Sequence, residues 1–430
     1  MSLVFYMFMI VVCFLHKVSL GFSYQSRWLR ARKFDIHETI KMVEEATDCT
    51  SIPRKNNFYP SPSKALGCDT AFYMKQYPQV YYGHAKNGCP IFYSKPALMD
   101  INSVESLTSL KNIINYHWNS MMHDYSKQLK DQYISSNGQF KRYECIYIMD
   151  LKHLSTSQLS KRVLKLIKES SAIDSLCFPE TLNHMAIVNA PSFFAFTWKL
   201  IKSWVDPRTA NKVSVLSSNK EKIVRHLTKF IDRDVLSSDF GGNGKSIDDV
   251  LKKEIQNQYN AEFPDSDLNL ENSDTHMMSL HKQSSHKVNV PDGNIIKLSL
   301  FCRSLRGGNV IIKDENGCPL PQIPQSGIEI IHRGKSEEDE NELPTRYDLD
   351  ETHGIILQGS KHYTIEVTPL SRKHTGRDIL LAMKEYSNKQ TMIHPNTNVS
   401  SIQTDAVLGC VHSQSIFTGT YSFDTAITDQ

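Results

Sequence analysis

Residues 192–205 read Ser-Phe-Phe-Ala-Phe-Thr-Trp-Lys-Leu-Ile-Lys-Ser-Trp-Val, and this stretch limits what the chain can fold into. A β-like run at 185–188 ends at Asn189, and Pro191 both stops that strand and suits the start of a helix. Around a helical turn, Phe193, Phe194, Phe196, Trp198, Leu200, Ile201, Trp204 and Val205 point in nearly every direction. Only Lys199, Lys202 and Ser203 offer a polar side. A helix apolar on so much of its surface is either buried or faces lipid part of the time. From composition alone, an ordinary buried core helix is the simpler of the two readings.

A chain of 430 residues has room for two or three domains. The balance of 49 basic and 46 acidic residues argues against general nucleic-acid binding, which needs a basic surplus. Nine cysteines are scattered with no Cys-x-x-Cys, a pattern of reduced thiols in a cytosolic protein. The sequence contains no Gly-x-Ser-x-Gly, no His-Glu-x-x-His and no glycine-rich dinucleotide loop, so no catalytic site and no cofactor are expected. Gly242-Asn243-Gly244-Lys245-Ser246 is not a phosphate loop, because the first glycine of that pattern would fall at Asp239. His276, His281 and His286 are five apart, which suits no helical metal pair.

Residues 1–22 form an apolar leader whose core, 3–15, is shorter than the roughly 20 residues of a membrane-spanning helix. A signal peptide, a short anchor and a gene-model artefact remain open for it. Next come Arg27-Trp28-Leu29-Arg30-Ala31-Arg32-Lys33-Phe34-Asp35 and a helical pattern to about 50, then a Pro- and Ser-rich connector. Asn87-Gly88 marks a hairpin, 143–151 is a nearly continuous apolar strand, and Ser155 and Ser157 precede a helical pattern at 159–171. N-capping of that helix is the plain reading of the two serines. Residues 244–275 are polar and acidic, with one weak helical pattern around 247–259, and read as a linker. From 276 to 386 short strands alternate with turn signals, as in a β-sandwich, and 387–430 is a polar tail.

Several motifs resemble the CRAL-TRIO lipid-transfer family: Arg-Trp-Leu-Arg-Ala-Arg-Lys-Phe-Asp, Asp150-Leu151-Lys152, Pro179-Glu180-Thr181-Leu182, Ile187-Val188-Asn189-Ala190-Pro191, Asp206-Pro207-Arg208-Thr209 and Leu236-Ser237-Ser238-Asp239-Phe240-Gly241-Gly242. The resemblance implies an α/β fold at 71–243: a mixed sheet with helices enclosing an apolar lipid cavity, preceded by a partial helical module at 23–50. It makes 192–205 the gate helix, with Phe193, Phe194, Phe196, Trp198, Leu200, Ile201 and Trp204 lining gate and cavity. It also implies a headgroup set. Arg32 and Lys33 match a basic pair that meets lipid phosphate, and Ser155 and Ser157 match hydroxyls that meet a choline headgroup. Asp239 stands where phosphatidylinositol-binding members place a Lys, so half of a basic pair is lost. The C-terminal β region resembles a GOLD domain, as in the tocopherol-associated, supernatant-factor branch.

The expected activity is therefore carriage of a lipid as cargo, with phosphatidylcholine, phosphatidylinositol and tocopherol- or squalene-like ligands open. A two-chain lipid has on the order of 30 methylenes at about 0.8 kcal/mol each, so roughly 20 kcal/mol opposes its release into water. An enclosed apolar cavity cancels most of that. The expected partners are a membrane touched transiently and a protein docked on the β-sandwich. Cytoplasmic location is expected, or secretion if the leader is a true signal. A second reading is a lipid-sensing adaptor that recruits partners without transferring lipid.

Overall fold

Two strand patterns organise the chain, and a helical layer lies between them. The computed structural model describes residues 27–388 except 141, 338, 360 and 372–376. The leader, Cys13, Cys410 and the tail beyond Asn388 lie outside the described residues.

The first sheet has five strands in the order β1 (Gln79–His84), β2 (Pro90–Ser94), β3 (Cys145–Asp150), β4 (Leu182–Val188) and β5 (Val213–Val215). β1 and β2 form the antiparallel hairpin turned at Asn87-Gly88, and β2 to β5 run parallel. Side chains alternate across it. Ile91, Tyr93, Ile146, Ile148, Ala186 and Val188 are buried on one face, with Ile223, Leu227, Leu236, Phe240 and Ile247 packed over them. The opposite face carries Tyr81, Phe92, Tyr147, Met149 and Met185, all only half-buried.

Gly241-Gly242 fixes how the covering segment returns. Gly241 has φ +80°, and a Cβ on Gly242 would sit 1.8 Å from the Leu236 carbonyl oxygen. Only glycine fits both positions.

The second strand region is a sandwich. One sheet runs β11 (Thr345–Asp348), β8 (Asn294–Cys302), β14 (Ile379–Asn388), β6 (Leu268–Met278), with β12 (Ile356–Gln358) also on β8; the other runs β10 (Ile328–Ile330), β9 (Gly308–Lys313), β13 (His362–Pro369), β7 (Ser284–Asn289). Leu298, Leu300, Ile312, Ile365, Ile379 and Leu381 fill the space between them. The outer face of the first of these sheets is also buried. Phe301, Leu380 and Ala382 pack against Leu66, Phe72, Tyr73, Val104 and Leu107 of the helical layer.

Several expected boundaries are corrected. The stretch read as a linker, 244–275, holds the expected helix, at Ile247–Glu262, and also most of β6, which was not expected. Ile247 and Leu251 anchor that helix, and β6 pairs with β14 along its length. The sandwich thus spans 268–388, not 276–386, and the first residues assigned to the tail are strand. The first long helix, Ile36–Lys55, runs beyond 50 into the expected connector, which also holds the helix Pro62–Leu66. Among the described residues, no helix is long and apolar enough to cross a membrane.

Candidate functional site

The open face of the first sheet is the floor of the site. Its aromatic rings touch in series: Tyr81 and Phe92 are 4.8 Å apart between centroids, and Phe92 and Tyr147 are 5.1 Å apart. Burial pushes the Tyr81 and Tyr147 hydroxyls well above the usual phenol range, so neither ring sits in bulk water. The Tyr147 hydroxyl is 2.7 Å from the Ser94 hydroxyl. A long helical element covers this floor: Leu110–Asn119, one π-helical turn at Ser120–Asp124, then Tyr125–Ser135. Such turns are rare and recur at functional sites. Asp124 within it has a carboxyl pushed up to about 6 by burial, with Glu254 adding to the rise and Lys127 opposing it. Nearby, burial disfavours a charge on His117, but the Asp174 carboxylate 2.8 Å away more than offsets it and raises the imidazole pKa.

The apolar segment 192–205 crosses the same face. β4 ends at Asn189, which adopts the left-handed conformation at φ 54° and donates from Nδ2 to Asp150 Oδ1 at 2.7 Å. Asparagine tolerates this conformation, so the chain can turn at once into Pro191. The helix itself is Phe194–Lys202. Phe194 is 4% exposed and packs with Leu151 and Ile187; Met149, Met185 and Trp198 complete the cluster. On the outer side Phe196 is 79% and Leu200 41% exposed, one helical turn apart, with Lys199 and Lys202 beside them. Phe193, Ile201 and Trp204 are half-buried. The seven gate residues thus divide into an inner and an outer set, a division the sequence alone does not give. At its far end Asp206 caps the helix Pro207–Asn211 and Arg208 donates to the carbonyl oxygens of Arg30 and Ala31 at 2.8 and 2.6 Å.

The expected headgroup residues do not converge. Ser155 and Ser157 follow the C-terminal end of β3, their hydroxyls 2.7 Å apart, on a loop whose Leu154 joins the Phe194 cluster. Ser155 caps the short 3-10 turn Thr156–Gln158, and the longer helix Lys161–Cys177 is capped by Ser160, which accepts from Val163 N at 3.2 Å. Arg32 and Lys33 follow the short helix at 27–31, which Arg208 ties to the N-terminal ends of the parallel strands. The two groups therefore lie at opposite ends of the gate. Asp239 belongs to neither. Lys95 pairs with it at 2.9 Å and with Asp248 at the same distance, so one cation is shared between two carboxylates.

Sequence reasoning also missed Arg303. It is 3% exposed and donates to the carbonyl oxygens of Glu105, Thr108, Asp339 and Glu342, joining the sandwich to the helical layer. A single arginine in a loop carries no local pattern that would reveal this.

An apolar, half-open sheet face under an apolar helix is the arrangement of a CRAL/TRIO domain. Residues 74–242 match the model of the CRAL/TRIO domain. Over 222 residues it is 29% identical to the phosphatidylinositol/phosphatidylcholine transfer protein SFH9 of Arabidopsis thaliana, a match covering 51% of this chain and 36% of that protein. It is 26% identical over 222 residues to the SEC14 cytosolic factor of Candida glabrata, covering 51% of this chain and 70% of that one. The chain spans 34–38% of the length of the first four plant relatives. A crystal structure of Sfh5 aligns with a TM-score of 0.38 at 16% identity, over 48% of this chain and 67% of that one.

Proposed function

We propose that this protein holds a membrane lipid on the open face of the five-stranded sheet and exchanges it at membranes through the helix Phe194–Lys202. The observation that carries the proposal is the division of that helix. Phe194 and Trp198 close over Leu151 and Ile187, while Phe196 and Leu200 stand exposed beside Lys199 and Lys202. Exposed apolar side chains flanked by cations suit contact with an anionic membrane surface. Swinging outward trades inner contacts for bilayer contacts at little net cost. The relatives named as phosphatidylinositol/phosphatidylcholine transfer proteins favour a phospholipid cargo over a tocopherol- or squalene-like one. In this reading Ser155 and Ser157 meet a headgroup at one end of the gate and Arg32 and Lys33 meet a phosphate at the other. The protein is a carrier, not a catalyst, and works in the cytoplasm as a peripheral visitor to membranes.

The sandwich, GOLD-like in this reading, is a fixed part of the carrier, because its outer face is buried against Leu66, Phe72 and Tyr73.

Vesicle-to-vesicle transfer of labelled phosphatidylcholine and phosphatidylinositol tests the proposal. Phe196→Asp is a cleaner probe than Phe194→Asp, since the latter would bury a charge and unfold the site. Phe196→Asp should abolish transfer while leaving the fold intact; unchanged transfer would sink the gate assignment. Mass spectrometry of lipid extracted from the purified chain identifies the cargo.

A further inference from the structure

Behind the helical element that covers the sheet floor, two thiols meet. Ala46, Trp118, Ile173, Cys177 and Phe178 are buried in one cluster, with Met121, Met122 and Leu176 half-buried around them. Ala46 comes from the helix Ile36–Lys55, and Ile173 and Cys177 come from the end of the helix Lys161–Cys177. Cys49 stands three positions after Ala46, so it shares the helix face that packs on Cys177. Its sulfur is in hydrogen-bonding contact with the Cys177 sulfur. Both are free thiols in this structure.

The two sulfurs differ in what can reach them. Cys49 is exposed, whereas Cys177 is 5% exposed. Burial pushes the Cys177 thiol up, and the Cys49 sulfur and the Asp174 carboxylate add to the rise, so Cys177 keeps its proton. A dissolved oxidant therefore meets Cys49 first, with a protonated thiol directly behind it. A buried cysteine alone is an inert apolar filler. Two thiols in contact across two helices, one of them open to solvent, form the arrangement of a sensing cysteine with its resolving partner.

We propose that Cys49 and Cys177 form a reversible disulfide in response to a hydroperoxide. In the first step the Cys49 thiolate attacks one peroxide oxygen, the O–O bond breaks, hydroxide leaves and Cys49 becomes a sulfenic acid. In the second the Cys177 sulfur attacks the Cys49 sulfur and the S–OH bond breaks. The departing hydroxide takes the Cys177 proton and leaves as water. The two thiols lose two electrons, and the peroxide gains them. A dithiol reductant reverses the bond by exchange, as a reducing cytosol would. The bond ties the helix Ile36–Lys55 to the helix Lys161–Cys177 across positions 128 apart in the chain. Closing so long a loop removes much of the unfolded chain's freedom, so the oxidised form is braced against unfolding. None of these residues lies in the segment 192–205.

The test treats the reduced full chain with hydrogen peroxide, alkylates the remaining thiols and maps disulfides by mass spectrometry of peptides kept unreduced. The dominant cross-link should join Cys49 to Cys177 and disappear on adding dithiothreitol. Cys177→Ala should leave Cys49 as a sulfenic acid that dimedone traps. Cys49→Ser should leave Cys177 a free thiol after the same treatment. Near-ultraviolet circular dichroism shows whether both variants are folded; the serine at exposed Cys49 keeps the test decisive if Cys177→Ala is not. Oxidation should raise the melting midpoint of the parent by about 5 °C and leave that of Cys49→Ser unchanged. Recovery of Cys49 and Cys177 unlinked, or a dominant link from Cys49 to any other cysteine, overturns the proposal. A linked parent that melts no higher than the reduced one overturns the brace.

Discussion

Strand β14 and the helix Phe194–Lys202 are both apolar runs, but the molecule treats them oppositely. Ile379, Leu380, Leu381 and Ala382 are all 0% exposed, because the odd residues face the sandwich core and the even ones face the helical layer. The gate helix buries Phe194 and leaves Phe196 and Leu200 in the open. The difference teaches that apolar sequence does not by itself report stability. In the run 379–382 every side chain contributes to holding the fold. In the helix Phe194–Lys202, Phe196 and Leu200 take no part in the packed interior.

Substitutions can break this contrast. The largest loss is expected where the two halves join. Arg303→Met removes a buried cation and leaves carbonyl oxygens of Glu105, Thr108, Asp339 and Glu342 without their donor. It should cost about 3–5 kcal/mol in urea unfolding, and a cost below about 1 kcal/mol would show that the halves do not depend on this residue. Next, Leu381→Ala should cost about 2–5 kcal/mol, because it opens a cavity in a close-packed core. Lipid transfer by this variant should survive at temperatures where it remains folded.

A gain is expected from Asp124→Asn. The fold holds this carboxyl's pKa above the unfolded value of 3.8, so the native state binds more protons than the unfolded chain between those two pKa values. Stability is therefore lost as pH rises from about 4 to about 6. The variant should be more stable at pH 7, by at most about 3 kcal/mol, with little difference at pH 4. Equal stabilities of parent and variant at pH 7 would contradict the buried carboxyl. The smallest stability effect belongs to Phe196→Ala, within about 0.5 kcal/mol, as for other exposed positions. If that substitution instead costs as much as Leu381→Ala, the helix is a core element and the contrast fails.

Much of this was legible in the sequence because local patterns agreed with tertiary ones. The parallel strands are apolar runs, Asn-Gly turns the hairpin, and Asn189-Ala190-Pro191 separates β4 from the gate. β6 was not legible. Its sequence, Leu-Asn-Leu-Glu-Asn-Ser-Asp-Thr-His-Met-Met, has few apolar residues, and it is a strand because β14 lies beside it along its length. The pairing of Asp239 with Lys95 was not legible either, because Lys95 lies 144 positions earlier in the chain, beyond the reach of any local pattern. Which side of the gate faces outward depends on Leu151 and Ile187, from two neighbouring strands, and periodicity alone gives no hint of it.

The three-residue strand β5 has a bearing on how such a protein survives in a crowded solution. It is the edge of the sheet next to the gate, and Val215 on it is partly exposed. A long, flat edge beside an apolar ridge would invite strand pairing between copies and then fibres. β5 pairs with β4 at only three positions, from Met185↔Val213 to Ile187↔Val215. The chain then leaves the sheet through Ser217 and Ser218 to the helix capped by Asn219. A second molecule would find few rungs to zip onto. The brevity of this edge lets the ridge stay exposed without seeding aggregation.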